Sequence, residues 1–528
     1  MVLARPLFAT LGLLITTALS QNNSTLNFNN CCGSAQDATA FAIAYGTPLV
    51  SFENNTATYI QAVGANNVVS APTLSDPRSQ SVVRPNADTP YTLILIDLSQ
   101  SDLVITIPEI NDGRYWVFPF LDPFGNDFAD ISIVNGSPAG DYLIRRADDA
   151  GVSPGLEITT ATSSCIPKYA GIVNYPTTYG TFVGRILVLQ NTTADLDIVH
   201  TYQKGIKITT TPRALSNNLT QAPPLTKSLV DTSNITAPAL KALALLARLG
   251  QYNQPEVAAD RYRVGSILGQ AGISNGVYRQ PAGVDITAAA ATADSATASL
   301  FKAPSNLVIA SNGWVLQNTT VQGNFLTDYA SRYQIAITGY LQLPASEALY
   351  PSWAPGTLSG ESLTAKQAYL FTFYGLPPVD TTKGGFWSLT AYTADQFLVP
   401  NGLGRYEVGD RTEGLHYSDG TFLYPQGSAV GSTKSNNATM SSPTMSANYA
   451  NTTTVCSGST LTESTRQFQV LLQPADVQPP SNWTANWLPA PAGGGVLSFT
   501  LRWYAPTPLL TNGQYIYPLV QKVDAITA

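Results

Sequence analysis

Side chains able to do chemistry are sparse in this chain. Only 12% of its residues are charged, against about a quarter in an average globular protein. A charge inside a strand-like segment is therefore informative. The segment RPNADTPY at 84–91 sets Arg84, Asn86, Asp88 and Tyr91 directly before the apolar run 91–98. Loops held at the end of a rigid strand commonly carry function. The same residues also suit a polar cap, with Asn86 and Asp88 satisfying loose backbone N–H groups. Further on, Asp122, Asp127 and Asp130 alternate with Phe120, Phe124 and Phe128. Carboxyls against aromatic walls lose hydration, keep their protons to higher pH and can act as general acids. Aromatic faces also stack on sugar rings, and 122–127 is good turn chemistry as well. Asp88 and Asp122 are the acid/base candidates. Asn86, Tyr91, Arg114, Trp387 and Arg405 are the candidate binding side chains.

Other chemistries find little support. The chain has no G-x-S-x-G elbow, H-E-x-x-H pair, P-loop or G-x-G-x-x-G turn. Its two histidines, His200 in a helix-like segment and His416 at a hairpin, suit structural roles. Four cysteines, Cys31, Cys32, Cys165 and Cys456, fit no zinc spacing. Two disulfides among them allow three pairings, with Cys31 and Cys32 each reaching a distant partner. No metal or cofactor is expected. A net charge of −7 disfavours nucleic acid and anionic membrane surfaces. A small molecule or carbohydrate is the expected ligand.

The elements that must position these groups follow from patterning. Residues 1–20 read as a signal peptide, with Arg5 before a short apolar run, so secretion is expected. No later stretch is long and apolar enough to span a membrane. Secretion makes candidate glycan sites of the N-x-Ser/Thr sequons Asn22, Asn23, Asn54, Asn135, Asn191, Asn218, Asn234, Asn318, Asn437, Asn451 and Asn482, several of which arise by chance in a chain this rich in Asn, Ser and Thr. Residues 21–65 form a helical lead-in, broken at Gly46 and Pro48. Short strands at 91–98, 102–108, 115–121, 142–145 and 181–189 predict a first β sandwich over 66–194. Leu240, Leu243, Leu246 and Leu249, then helical patterns at 284–302 and 326–350, make 195–350 mainly helical. A second sandwich fills 351–528, ending in the alternating strand 495–504. Its Ser/Thr/Asn-rich insertion, 427–464, has too few apolar residues to build a core. The fold class is thus α+β and multidomain, with two jelly-roll-like sandwiches flanking a helical region. Gly113-Arg114-Tyr115-Trp116 and Gly384-Gly385-Phe386-Trp387, about 270 residues apart, look like copies of one unit.

Several segments together resemble a known pairing, domain of unknown function 1254 followed by domain of unknown function 1214. The first is matched by RPNADTPY (84–91), DGRYWVFPFLD (112–122) and GRI (184–186). The second is matched by GLPPV (375–379), FWSLTAY (386–392), NGLGRY (401–406) and NWLPAP (486–491). The resemblance implies jelly-roll-type sandwiches with an added helical region and fixes no common activity. The functions in view are therefore a secreted enzyme on a small molecule or glycoside-like substrate, a non-catalytic extracellular binding protein, and a tailoring enzyme of secondary metabolism.

Overall fold

The computed structural model describes residues 28, 33–80, 83–160, 168–213, 221–354, 361–424 and 466–527. The signal segment, all four cysteines, the 427–464 insertion and the sequons Asn22, Asn23, Asn218, Asn437 and Asn451 lie outside them.

A long helix, α1 (Ala35–Val63), opens the described chain. Ser34 caps it, its Oγ accepting from the Asp37 N–H at 3.1 Å. Contrary to the expected break, α1 runs through Gly46 and Pro48. Burial overrides propensity here: α1 is packed in the helical core against Pro238–Leu249, Ile286–Phe301 and Tyr329–Thr338. Gly46 serves that packing, because a Cβ there would lie 2.9 Å from the Ala242 carbonyl oxygen. The leucine spacing at 240–249 forms a helix as its period predicts. The pattern expected to continue from 326 to 350 instead stops at Thr338. There Gly339 ends the helix and Tyr340 turns left-handed at φ 65°.

Ten strands build the first β region: β1 (Val68–Ser70), β2 (Tyr91–Asp97), β3 (Asp102–Ile107), β4 (Trp116–Leu121), β5 (Asp127–Ser132), β6 (Gly140–Arg146), β7 (Gly155–Ile158), β8 (Gly171–Tyr175), β9 (Tyr179–Ile186) and β10 (Lys207–Thr211). They form two five-stranded sheets, ordered β1-β2-β9-β4-β5 and β10-β3-β6-β8-β7. Both turn alternate residues into one apolar core, Ile94, Phe118 and Phe182 from one sheet meeting Leu103, Ile144 and Val173 from the other.

The second β region repeats the plan. The strands Trp387–Thr393, Gly494–Tyr504 and Glu407–Gly409 share a sheet, and Gln367–Phe373 pairs Phe468–Pro474 and Leu519–Asp524 in another. Trp387, Leu389, Leu501 and Trp503 pack with Phe371, Phe468 and Val470 between the two. The molecule is therefore α+β, with several sheets and helices.

The two similar glycine-aromatic-tryptophan segments occupy equivalent places. Trp116 pairs Ile186, and Trp387 pairs Trp503. The Leu187 N–H donates to the Tyr115 carbonyl at 2.9 Å, and the Tyr504 N–H donates to the Phe386 carbonyl at 2.9 Å. The segments also meet: the Tyr115 and Phe386 rings contact edge-on at 5.6 Å. Gly384, at φ 65°, can approach because a Cβ would lie 2.4 Å from the Tyr115 nitrogen.

Candidate functional site: a polar seam between two sheets

Each of these central sheets buries its apolar face in its own sandwich. The other face carries polar groups, and the two polar faces meet with the 84–91 loop between them.

A bulge sets the first half of the seam. Pro119 pairs Asp130 and Phe120 pairs Ala129, yet Leu121 pairs Asp127, so Phe128 is an extra residue in β5. Without it, residues three apart would face opposite ways. With it, Asp127, Asp130 and Ser132 share the face turned away from the sandwich core. Among the described residues neither Asp127 oxygen, nor Oδ1 of Asp130, has a hydrogen-bond partner. Each carboxyl nevertheless lies against the other, and burial first pushes both well above the usual carboxylate range, reinforced at Asp127 by repulsion from Asp130 and Glu347 and at Asp130 by repulsion from Glu347. A proton shared by the pair reconciles these facts, because two ionised carboxylates would have no donor between them. Glu347 is also raised by burial. It accepts from the Ser132 hydroxyl at 2.5 Å and the Tyr115 hydroxyl at 2.9 Å. Among the described residues no three His, Cys, Asp or Glu side chains are placed to hold a metal ion.

Beside these carboxyls, on the same face of the same sheet, is Arg185. It pairs Tyr91 on one side and Val117 on the other. It is 7% exposed and its Nε has no partner. Among the described residues no carboxylate lies within 4.0 Å of it. Its surroundings are phenols: the Tyr91 ring lies 5.5 Å away and the Tyr350 hydroxyl is within hydrogen-bonding reach, with Tyr504 and Tyr115 beyond.

Equivalent positions in the second β region are filled. Arg502 pairs Ser388 as Arg185 pairs Val117, and Glu407 pairs Thr390 as Asp130 pairs Pro119. Arg502 donates to the Thr390 hydroxyl at 3.0 Å, the Tyr392 hydroxyl at 2.8 Å and the Arg84 carbonyl at 3.1 Å. Arg411 is bonded to Asp88, with Asp410 at 3.4 Å and Glu407 at 3.8 Å. The Ser388 hydroxyl completes Asp88 at 2.9 Å. Burial raises Glu407 and Asp410 to about 7 despite Arg411.

The structure brings three of the expected residues together here. Asn86 accepts from the Asp88 and Thr89 N–H groups and donates to the Tyr504 hydroxyl. Its own N–H donates to the Tyr91 hydroxyl at 3.3 Å. Asp88 is the anchor for Arg411. The others lie elsewhere. Asp122 accepts from the Phe124 N–H at 2.8 Å and the Asn126 amide at 2.7 Å. Burial raises it against the pull of Arg332, which the rings of Tyr45, Phe124 and Tyr329 enclose. Arg114 bridges Asp112 and Asp195, both at 2.8 Å. Arg405 donates to the Thr484 and Trp487 carbonyls. Trp387 is core, its Nε1 donating to Tyr424. His200 contacts the Pro72 carbonyl, and His416 that of Gly414. Arg185, Glu347, Arg411 and Arg502 were not among the expected site residues. The signal for two of them was an arginine inside an apolar strand, at 183–186 and 501–503. The sequons Asn54, Asn135, Asn191, Asn234 and Asn482 are exposed, and Asn318 is half-buried.

These features define a two-part α+β protein with a buried polar seam. Residues 65–210 match the family described as protein of unknown function DUF1254, and 347–438 and 434–508 match protein of unknown function DUF1214. The chain belongs to the family that pairs these two domains. It is similar in fold to the VPA0106 protein from Vibrio parahaemolyticus, at 16% identity and TM-score 0.51, covering 93% of this chain and 100% of that one. An uncharacterized protein from Burkholderia cenocepacia matches at 11% identity and TM-score 0.40, covering 93% of this chain and 95% of that one. A comparison with curated proteins gives no match. No helix among the described residues is long and apolar enough to cross a membrane.

Proposed function

We propose that this chain is an enzyme performing acid–base chemistry on a small anionic molecule held in the seam. One observation carries the reading: a buried guanidinium without an ion-pair partner among the described residues shares a sheet face with two carboxyls, three of whose four oxygens have no hydrogen-bond partner among those residues. Burying an uncompensated charge costs several kcal/mol. Networks left incomplete in this way concentrate at functional sites. A substrate carboxylate would complete Arg185. The Asp127–Asp130 pair, sharing one proton, would offer an acid and a base side by side. Asn86 and Tyr91 then position Tyr504 and Arg185, while Asp88 fixes the opposite wall through Arg411.

The test is a thermal-shift screen of the full chain against small carboxylates. A ligand that binds only the folded state raises the melting temperature. The reading expects a shift that Arg185→Met abolishes. It also expects turnover of that ligand, lost by at least a hundredfold in Asp130→Asn. Equal shifts in parent and Arg185→Met would overturn it. A second reading, a binding protein without turnover, is favoured by the structural partners of Asp88 and Arg114. Binding through Arg185 with no turnover would establish it.

We further propose that the protein is secreted, with jelly-roll-type sandwiches, disulfides among its cysteines and glycans at the exposed sequons. Enzymatic deglycosylation of protein made in a eukaryotic secretory host should lower its mass. An unchanged mass would reject the glycans.

A further inference from the structure

A second unfinished polar cluster lies on the opposite side of the first sandwich, on the outer face of the β10-β3-β6 edge. A pocket of about 260 Å³ opens there, lined by Asp102, Arg145, Arg146, Asp149, Tyr169 and Thr211 among others. The sheet explains the grouping. Thr211 pairs Asp102, and Leu103 pairs Ile144, which sets Arg145 beside Asp102 on the face away from the core.

The local charges do not pair off. Asp148 is held by both oxygens to Arg261, at 3.0 and 3.1 Å, leaving Arg146 at 3.9 Å from it. Asp149 is bonded to Arg213, which also donates to the Leu98 carbonyl at 2.6 Å. Among the described residues Arg145 donates to the neutral Asn174 amide oxygen, at 2.8 Å. Arg146 is 9% exposed and its Nε has no partner. Among the described residues, the two guanidiniums at this pocket thus have no carboxylate within hydrogen-bonding distance, although Asp102 and Asp149 line it too. Arginine's planar fork is matched by carboxylate and phosphate oxygens. The volume is below that of pockets for drug-sized ligands, so the ligand is small.

We propose that this pocket binds a compact oxyanion, a phosphate or carboxylate group, gripped by Arg145 and Arg146. It is separate from the seam and independent of the acid–base reading.

Isothermal titration of the full chain with inorganic phosphate, and with acetate, at constant ionic strength tests it. Saturable binding of one or both is expected, weakened tenfold or more by Arg146→Gln and by Arg145→Gln, and unchanged by Arg185→Met. The preferred ion tells phosphate from carboxylate. Arg145 is half-buried, so its variant keeps the test open if Arg146→Gln fails to fold. No saturable binding of either ion overturns the proposal. So does undiminished affinity in Arg145→Gln, or loss of binding in Arg185→Met, which would put the anion in the seam.

Discussion

Several carboxyl groups in this protein are pushed above the usual carboxylate range by burial. Asp102 is raised to about 6, and Glu256, Glu407 and Asp410 to about 7, with burial the leading cause in each. Between the unfolded carboxylate values near 4 and these folded values, the native state binds protons that the unfolded state has lost. Stability from these groups is therefore complete below about pH 4 and falls as pH rises to about 7, by up to about 1.4 kcal/mol per unit per group. The groups that shift the other way, such as Asp260, act below that window. Urea unfolding should show stability declining from pH 5 to pH 8. Glu407→Gln should flatten the decline and exceed the parent in stability at pH 8; a parallel curve would refute this. Arg114 is the opposite case, a buried cation satisfied by Asp112 and Asp195. Arg114→Met strands Asp195 and should cost about 3 kcal/mol in the same assay. In the sequence, the alternation of Asp122, Asp127 and Asp130 with phenylalanines suggests raised carboxyls, and burial is the leading cause that raises all three. Which of them would lack partners was not legible, because that depends on Asn126 for Asp122 and on the bulge for the other two.

Strand and helix identity was read from period, and period serves well where one face is buried. The alternation of Leu103, Ile105 and Ile107 and the leucines of 240–249 both formed the expected elements. It failed where tertiary contact outweighed local preference. Gly46 and Pro48 look like breakers until the partner helix is known, and the bulge at Phe128 leaves no mark in a strand of mixed residues. Two element-scale outcomes follow. Gly46→Val pushes a side chain toward the Ala242 carbonyl and should destabilise by about 2 kcal/mol, seen as a lower urea midpoint. Deleting Phe128 removes the extra residue and leaves Asp127 two positions from Asp130, on the same polar face, with Leu121 still opposite Asp127. The deleted chain should fold, losing the contact of the Phe128 ring with Tyr175, and Phe128→Ala should lower the urea midpoint by a similar amount. A deletion variant that fails to fold while Phe128→Ala folds would show that the strand needs the bulge itself.

At the scale of the whole molecule, two similar sheets meet through their polar faces, and the 84–91 loop of the first supplies groups that complete the second. Asp88 serves Arg411 and Ser388, the Arg84 carbonyl serves Arg502, and the Pro85 carbonyl accepts from Tyr392. The second region's buried cations are thus satisfied across the seam, so unfolding the first region alone would strand them. That coupling predicts one cooperative calorimetric transition, although chains of this size commonly unfold domain by domain. Asp88→Asn keeps the shape and removes the charge. It should lower the transition temperature and open a second, earlier transition. Arg411→Met on that background should restore part of the loss, since the stranded charge is then gone. The double-mutant cycle should give a coupling of about 2 kcal/mol. Additive losses, with the single transition intact in both variants, would mean that the apolar contacts of Tyr115, Phe386 and Tyr504 hold the halves together and that the Asp88–Arg411 pair only sets their register.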